Sequence, residues 1–187
     1  MGQYYEPMIM DGTEVTMYNR EVNGEYGMAK LMEHSWVANP CVAKVCGAIY
    51  QHPCKIAWVG DYVENDWIPN TPFTGNMLWK MEAVEIKSPQ IYLSSVVHES
   101  HSDKLLVNHS KKLIINGKEY IERNTKDDWC VHPLPLLTAC GNGRGGGDYH
   151  GSDMDYVGEW AGDLISVEEA TWKVPEGYEY LLLSFSE

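Results

Sequence analysis

Residues 39–50 read NPCVAKVCGAIY, and this stretch decides the fold class because it carries the clearest helical pattern of the chain. Asn39 followed by Pro40 is typical of a helix start, with asparagine as the N-cap and proline at the first helical position. Apolar residues then recur at three- and four-residue spacing, as in a helix with one buried face. They are Val42, Val45, Cys46 and Ile49. The sequence predicts a main helix over about residues 39–50.

Short β-like runs lie on both sides of this helix. Asp11-Gly12 predicts an N-terminal hairpin, and Asn116-Gly117 predicts a second one. A helical turn is predicted over Ala29–His34 and a long loop over Glu64–Gly75. The predicted strands are Gln3–Met10, Glu14–Asn19, Lys55–Val59, Met77–Ile86, Ile91–His98, Lys104–Asn108, Lys112–Ile115, Lys118–Glu122, Leu134–Ala139, Tyr156–Trp160, Asp163–Val167 and Tyr178–Phe185. Many strands with one main helix predict an α+β fold with a mostly antiparallel sheet.

Length and charge narrow the class of protein. The chain has 187 residues, 44% of them hydrophobic, which predicts one domain over residues 1–187 with a sizeable core. Lysine and arginine number 14 against 27 acidic residues, giving a net charge of −13. Such a charge repels phosphate, so direct binding of a nucleic-acid backbone is not expected. It fits a soluble protein, or one that docks on a basic surface.

The termini and cysteines bear on location. The chain opens with polar residues instead of a signal sequence, and its apolar runs are far too short to span a bilayer. A cytoplasmic protein without membrane contact is therefore expected. Its five cysteines are an odd number and are predicted to be reduced thiols.

The segment Gly141–Gly151, GNGRGGGDYHG, concentrates six of the 17 glycines in one loop. Its glycine spacing formally matches a dinucleotide-binding fingerprint, but no helical pattern follows, and that motif requires one. A nest of backbone N–H groups is still possible, with Arg144 as an anion ligand. Asp148 would then orient Arg144 or receive a proton. The structural alternative is a long turn in which Arg144 pairs with Asp148.

A candidate ligand-binding surface gathers this loop with polar residues that lie beside aromatic ones. Its members are Gly143, Arg144, Gly145, Gly146, Asp148, Tyr149, Asp61, Tyr62 and His34. If the loop is functional, Arg144→Ala and Asp148→Ala should abolish activity and leave the melting temperature nearly unchanged.

Other constellations predict no metal, cofactor or catalytic site. Asp148, Asp153 and Asp155 have the oxygen ligands of a hard cation, but a solvated acidic loop explains them better. His98 and His101 would point to opposite faces of a strand. A nucleophilic Cys140 would need His132 close in space, which spacing alone does not establish. The absence of a complete catalytic constellation favours a binding protein over an enzyme.

The chain resembles a family of uncharacterised bacterial and phage-encoded proteins that open with Met-Gly-Gln-Tyr-Tyr and carry a GNGRGGGDY loop. The resemblance lies at Met1–Tyr5, Leu31–Trp36, Trp58–Tyr62, Pro133–Leu137 and Gly141–Tyr149. It carries over no catalytic residues, and it implies a bacterial or mobile-element setting. Small phage proteins of this kind are often accessory factors that blunt host defences, anti-CRISPR proteins being one class.

Two function hypotheses follow. The first is a non-enzymatic binding protein, a phage or mobile-element factor that inhibits a bacterial host defence protein in the host cytoplasm. The second is a domain that binds or hydrolyses a nucleotide-like small molecule. There the nest and Arg144 would hold phosphate, and Tyr62 or Tyr149 would stack on a base. Asp61 or Asp148 would act as general base or metal ligand.

Overall fold

The computed structural model describes residues 2–11, 14–17, 29–64, 66–80, 101–143 and 145–186. The strands are β1 (Tyr5–Asp11), β2 (Glu14–Met17), β3 (Cys54–Gly60), β4 (Leu105–Asn108), β5 (Leu113–Asn116), β6 (Ala139–Cys140), β7 (Leu164–Glu168) and β8 (Glu179–Tyr180). The helices are α1 (Leu31–His34), α2 (Pro40–Ala48), α3 (Gly75–Lys80), α4 (Gly117–Asn124) and α5 (Pro133–Leu137). Two short 3-10 turns cover His101–Asp103 and Met154–Tyr156.

The strands form one sheet that is mostly antiparallel. Seven follow the order β2-β1-β3-β7-β4-β5-β8, and β6 pairs with β3 outside this path. Among the pairings of the described strands, only the short pairings β3–β6 and β5–β8 are parallel. The strand β3 shares one edge between two partners, since β7 pairs with Cys54–Lys55 and β6 with Trp58–Val59. The predicted combination of helices with a mostly antiparallel sheet is confirmed.

The core covers both faces of β3. Ile56 and Trp58 belong to the main hydrophobic cluster, which also contains the buried face of α2. Ala57 and Val59 belong to a second cluster on the opposite face, together with Met8 of β1. Because successive residues of a strand point to opposite faces, β3 is enclosed on both sides. Segments that follow its last residue, Gly60, therefore start from a rigid position.

The helix predicted over residues 39–50 is confirmed as α2, and its start has the expected cap. The Asn39 side chain accepts hydrogen bonds from the backbone N–H groups of Cys41, at 2.8 Å, and Val42, at 3.4 Å. Pro40 is the first helical residue. The predicted apolar stripe is buried in the main cluster.

The cap gives a first testable prediction. We expect Asn39→Ala to lower the free energy of unfolding by about 1 kcal/mol, because two N–H groups of α2 lose their acceptor. Asn39→Ser keeps a side-chain acceptor and should restore most of this loss. Urea unfolding of the two variants measures the difference. Equal losses in both would mean that the cap contributes little.

The second predicted hairpin was wrong. Asn116 caps a helix, α4, by accepting the N–H of Glu119 at 3.3 Å, so Lys118–Glu122 is helical. The hairpin of this region instead joins β4 to β5, with Lys112 at a positive φ of 57° in its turn. Asparagine favours both turns and helix starts, and the local sequence does not separate the two.

The strand predicted over Leu134–Ala139 was also wrong for most of its length. Residues 133–137 form α5, with Pro133 at its first position. The His132 Nδ1 atom accepts the N–H of Leu134 at 3.2 Å and caps the helix. A proline pair that argues against a central strand is compatible with a helix start.

Three further predicted strands differ from the structure. Residues 75–80 form α3, which contradicts the start of the strand Met77–Ile86, while residues 81–86 and the strand Ile91–His98 lie outside the described residues. Residues 156–160 form turns, and in Tyr178–Phe185 only Glu179–Tyr180 is a strand. Among the described residues α2 has nine residues and α4 has eight, which does not support a single main helix.

Candidate functional site

The glycine-rich loop begins directly after β6 and is enclosed by the N-terminal part of the chain. Gly146 pairs with Gly2 in a parallel bridge, and the carbonyl of Gly147 accepts the N–H of Met32 at 3.1 Å. The loop therefore lies between the segment that leads into β1 and the helix α1. Arg144, which the sequence placed at the centre of the anion site, lies outside the described residues.

The carboxylate of Asp148 fills the centre of the loop. Its Oδ2 atom accepts the backbone N–H groups of Gly143, at 2.7 Å, and Gly145, at 2.9 Å. Its Oδ1 atom accepts the hydroxyl of Tyr5 at 2.8 Å. Asp148 is buried, so these three donors replace the water that a carboxylate would otherwise bind. The loop thus contains a nest of N–H groups, and its anion is a side chain of the same loop.

Two glycines make this arrangement possible. Gly143 has φ of 91°, a region that residues with a side chain rarely adopt, and this conformation turns its N–H towards Asp148. At Gly145 a Cβ atom would lie 2.5 Å from the backbone nitrogen of Gln3. A side chain there would push the loop away from the N-terminal segment.

Tyr5 connects the loop to β1. Its hydroxyl also lies 3.0 Å from Gln3 Oε1, but the charged Asp148 oxygen is the stronger acceptor. Burial raises the pKa of Tyr5 well above its usual value, and the hydrogen bond to Asp148 raises it further. Tyr5 therefore stays protonated and donates at any physiological pH.

Two of the predicted ligand-binding side chains lie in the core. Tyr149 is buried, packs edge-to-face on Phe185, and donates its hydroxyl to the carbonyl of Ser152 at 2.7 Å. His34 is buried and accepts the indole N–H of Trp58 at its Nε2 atom. Burial lowers the pKa of His34 to about 4, so it is neutral at pH 7. Neither ring has a free face for a ligand.

Asp61 and Tyr62 are half-buried at the turn that follows β3. Asp61 Oδ1 accepts the backbone N–H of Tyr4 at 3.1 Å. Gln3 lies between this turn and the glycine loop, because Cβ atoms on Gly60 and Gly141 would both meet its amide nitrogen, at 2.0 and 2.5 Å. The structure therefore brings Asp61 close to the loop and leaves His34 in the core.

Sequence reasoning missed Gln3 and Tyr5 as parts of this arrangement. Both precede Asp148 by more than 140 positions, so no local spacing relates them to it. The available signal was weak, namely an abundance of tyrosine in a core that must satisfy each buried hydroxyl.

A second polar cluster pairs Cys46 of α2 with His132. The Cys46 Sγ and His132 Nε2 atoms lie 3.8 Å apart. His132 Nδ1 accepts the N–H of Leu134, so in the neutral ring Nε2 carries the proton and donates to sulfur. Burial lowers the pKa of His132 to about 3 and raises that of Cys46 to about 12. This pair is uncharged and fixed in a tautomer that cannot take a proton from the thiol.

A small cavity borders this pair and has room for about one water molecule. Near it, Tyr50 stacks on His101, and Lys104 donates to Glu169 at 2.8 Å. Hydrogen bonds from Lys104 and Tyr50 lower the pKa of Glu169. The space is too small for a substrate, and the charged groups already form pairs.

The acidic residues after the loop differ in their surroundings. Asp153 accepts the N–H of Ser184 at 2.6 Å, while Asp155 is exposed. Within the described part of the chain, no group of three or more His, Cys, Asp or Glu side chains has an arrangement that could hold a metal ion.

Five large aromatic side chains are exposed among the described residues. Tyr4, which is 38% exposed, follows the buried Gln3. The other four each directly follow an exposed acidic residue, in the pairs Asp66-Trp67, Asp128-Trp129, Asp155-Tyr156 and Glu179-Tyr180. Trp67 is 66% exposed, Tyr180 54%, Trp129 40% and Tyr156 36%. Exposed tryptophan and tyrosine are typical of protein interfaces.

Comparison of the chain with family models, with curated proteins and with solved structures gives no match. No helix in the described ranges is long and apolar enough to cross a membrane.

Proposed function

We propose that this protein is a non-enzymatic binding protein, a phage or mobile-element accessory factor that inhibits a bacterial host defence protein in the host cytoplasm. The observation that carries the proposal is the exposure of Trp67, Trp129, Tyr156 and Tyr180 on a chain of net charge −13. Exposed aromatic side chains supply contact area at a protein interface, and the negative charge attracts a basic partner.

The glycine-rich loop gives further support, because its N–H donors already bind a side chain of the same loop. Asp148 occupies the nest of N–H groups, so an incoming phosphate would have to displace a buried carboxylate with three donors. Two buried histidines, His34 and His132, are held neutral by desolvation and already make hydrogen bonds. These groups serve the fold better than they would serve catalysis.

The proposal is tested by isolating a partner and then measuring its binding with purified components. The immobilised protein should retain a defined protein from bacterial lysate, and the purified pair should bind saturably and lose the partner's activity. The association rate should fall as salt rises from about 0.05 M to about 0.5 M, because opposite charges are screened. Retention that never saturates, or binding that leaves the partner fully active, would contradict the proposal.

The second candidate, a nucleotide-like ligand, keeps one specific point in its favour. The loop does contain a nest of N–H groups, and Asp61 lies close to it. A thermal-shift screen with nucleotides and cyclic dinucleotides, with and without Mg²⁺, separates the candidates. A ligand at 100 times its Kd would stabilise the fold by about 2.7 kcal/mol, or several degrees. We expect a flat response.

A further inference from the structure

Asn142 and Gly143 of the glycine-rich loop form a sequence pair that can react with itself. In an Asn-Gly pair the backbone nitrogen of glycine attacks the side-chain amide carbon of asparagine, because glycine has no side chain to hinder the approach. The chain has three such pairs, at residues 23–24, 116–117 and 142–143. The first lies outside the described residues, so the structure bears on the other two.

The reaction at residues 142–143 has two steps, and water is its only co-reactant. In the first step the Gly143 nitrogen bonds to Asn142 Cγ, the Cγ–Nδ2 bond breaks, and Nδ2 leaves as ammonia with the proton of the Gly143 N–H. In the second step water adds to one of the two carbonyl carbons of the resulting cyclic imide. The bond from that carbon to nitrogen breaks, the nitrogen takes up a proton, and the ring opens to aspartate or isoaspartate.

The loop uses both of the donors that this reaction consumes. The N–H of Gly143 donates to Asp148 Oδ2 at 2.7 Å. The Nδ2 group of Asn142 donates to the Tyr149 carbonyl at 3.3 Å, and Asn142 Oδ1 accepts the Tyr149 N–H at 2.9 Å. Formation of the imide would therefore remove two hydrogen bonds of the loop, one of them to a carboxylate.

Burial alone does not protect this pair. Asn142 is half-buried and Gly143 is exposed, so water reaches the reacting atoms. Protection has to come from the hydrogen bonds to Asp148 and Tyr149. The loop must first open, in the sense that these hydrogen bonds break, and the reaction rate then follows the population of the open loop.

The product would not fit the hydrogen-bonded loop. An aspartate at residue 142 places an oxygen where Nδ2 now donates, and this oxygen faces the Tyr149 carbonyl without a proton between them. An isoaspartate also adds one methylene to the backbone directly before Gly143, whose φ is 91°. Once the pair has reacted, the loop cannot restore its present hydrogen bonds.

We propose that the Asn142-Gly143 pair is a latent self-modification site, protected by hydrogen bonds within the glycine-rich loop and reactive when that loop opens. Deamidation then records the opening irreversibly, because the product does not restore the loop. The inference concerns the chemistry of the loop itself and does not rest on the proposed function.

The test compares the deamidation rate of Asn142 in the folded protein with its rate in protein unfolded by urea, both kept at the same mildly alkaline pH. Peptide mapping by mass spectrometry measures aspartate and isoaspartate at residues 116 and 142 separately. We expect Asn142 to react about tenfold or more slowly in the folded protein. Asn116-Gly117 is the control within the chain, because its glycine N–H donates to the Lys104 carbonyl at 2.9 Å, in another part of the fold.

Asp148→Ala should increase the deamidation rate of Asn142 in the folded protein, because the Gly143 N–H loses its acceptor. Asn116 should stay slow in this variant, which shows that the opening is confined to the loop. If Asp148→Ala unfolds as a whole, Tyr5→Phe replaces it in the test. This change removes only the hydroxyl that donates to Asp148 at 2.8 Å, and it should give a smaller increase at Asn142.

Asn142→Asp mimics one product and tests whether that product fits the loop. It should lower the melting temperature, because a carboxylate oxygen then faces the Tyr149 carbonyl. Asn116→Asp is the matched control, since aspartate keeps an oxygen that accepts the N–H of Glu119, and it should leave the melting temperature nearly unchanged.

Equal deamidation rates of Asn142 in folded and unfolded protein would overturn the inference. A faster rate in the folded protein would also overturn it, because the loop would then promote ring closure instead of preventing it. The same holds if Asn142 stays slow in both the Asp148→Ala and the Tyr5→Phe variants. An Asn142→Asp variant as stable as the original protein would show that the product fits the loop, so that deamidation could not record its opening.

Discussion

Asp148→Ala is expected to lower the free energy of unfolding by about 2–4 kcal/mol, because one buried donor and two part-buried donors lose the acceptor they share. These donors are the N–H groups of Gly143 and Gly145 and the hydroxyl of Tyr5. The sequence alone led us to expect a variant as stable as the original protein, and burial of the carboxylate reverses that expectation. Chemical unfolding at pH 7 measures the loss.

Two controls separate the carboxylate from the loop as a whole. Asp155→Ala removes an exposed acid a few residues further on and should change stability by no more than about 0.5 kcal/mol. In a double-mutant cycle, Tyr5→Phe combined with Asp148→Ala should cost less than the sum of the single changes by about 1 kcal/mol or more. If Asp148→Ala is as stable as the original protein, the N–H groups of the nest do not need the Asp148 carboxylate. That result would favour binding of an external anion and would support the nucleotide hypothesis.

The parts of the fold that the sequence predicts well have local causes. The helix α2 follows from a cap and an apolar stripe within residues 39–50, and the β1–β2 hairpin follows from Asp11-Gly12 between two apolar runs. The wrong predictions occur where one residue type is typical of two different secondary structures. Asn116 signals a turn and also caps α4, and Pro133 interrupts a strand pattern while starting α5.

The sequence predicts where the glycine-rich loop lies but not which group occupies its N–H donors. Clustered glycines correctly mark a loop with close backbone contacts and positive φ angles, at Gly143 and Gly147 for example. What occupies the loop depends on Tyr5, which approaches Asp148 across 143 positions because β1 pairs with β3 and β3 with β6. Such contacts follow from sheet topology, which the local sequence pattern does not contain.

As the pH is lowered, this protein should unfold at a higher pH than protonation of its exposed carboxylates alone would require. Burial lowers the pKa of His34 to about 4 and that of His132 to about 3, from about 6.5 in the unfolded chain. Since the folded pKa values are the lower ones, the unfolded state binds protons first. The stability that the neutral rings provide is complete above about pH 6.5 and is lost as pH falls towards those values. At about pH 5 the contribution of each histidine to the free energy of unfolding has fallen by about 2 kcal/mol, and the two together by about 4 kcal/mol.

The geometry explains why neither ring can accept a proton in the folded state. The nitrogen that would be protonated already accepts an N–H, from Trp58 at His34 and from Leu134 at His132. A proton there would place two donors face to face and remove the cap of α5, in addition to burying a charge.

Unfolding by urea at about pH 7.5 and about pH 5 measures the loss of stability. His132→Asn retains a capping acceptor that does not titrate, so it should reduce the loss by about 2 kcal/mol. The control variant is His150→Gln, which replaces an exposed histidine outside the core. If His132→Asn loses as much stability on acidification as the original protein, His132 is not a cause of the acid sensitivity.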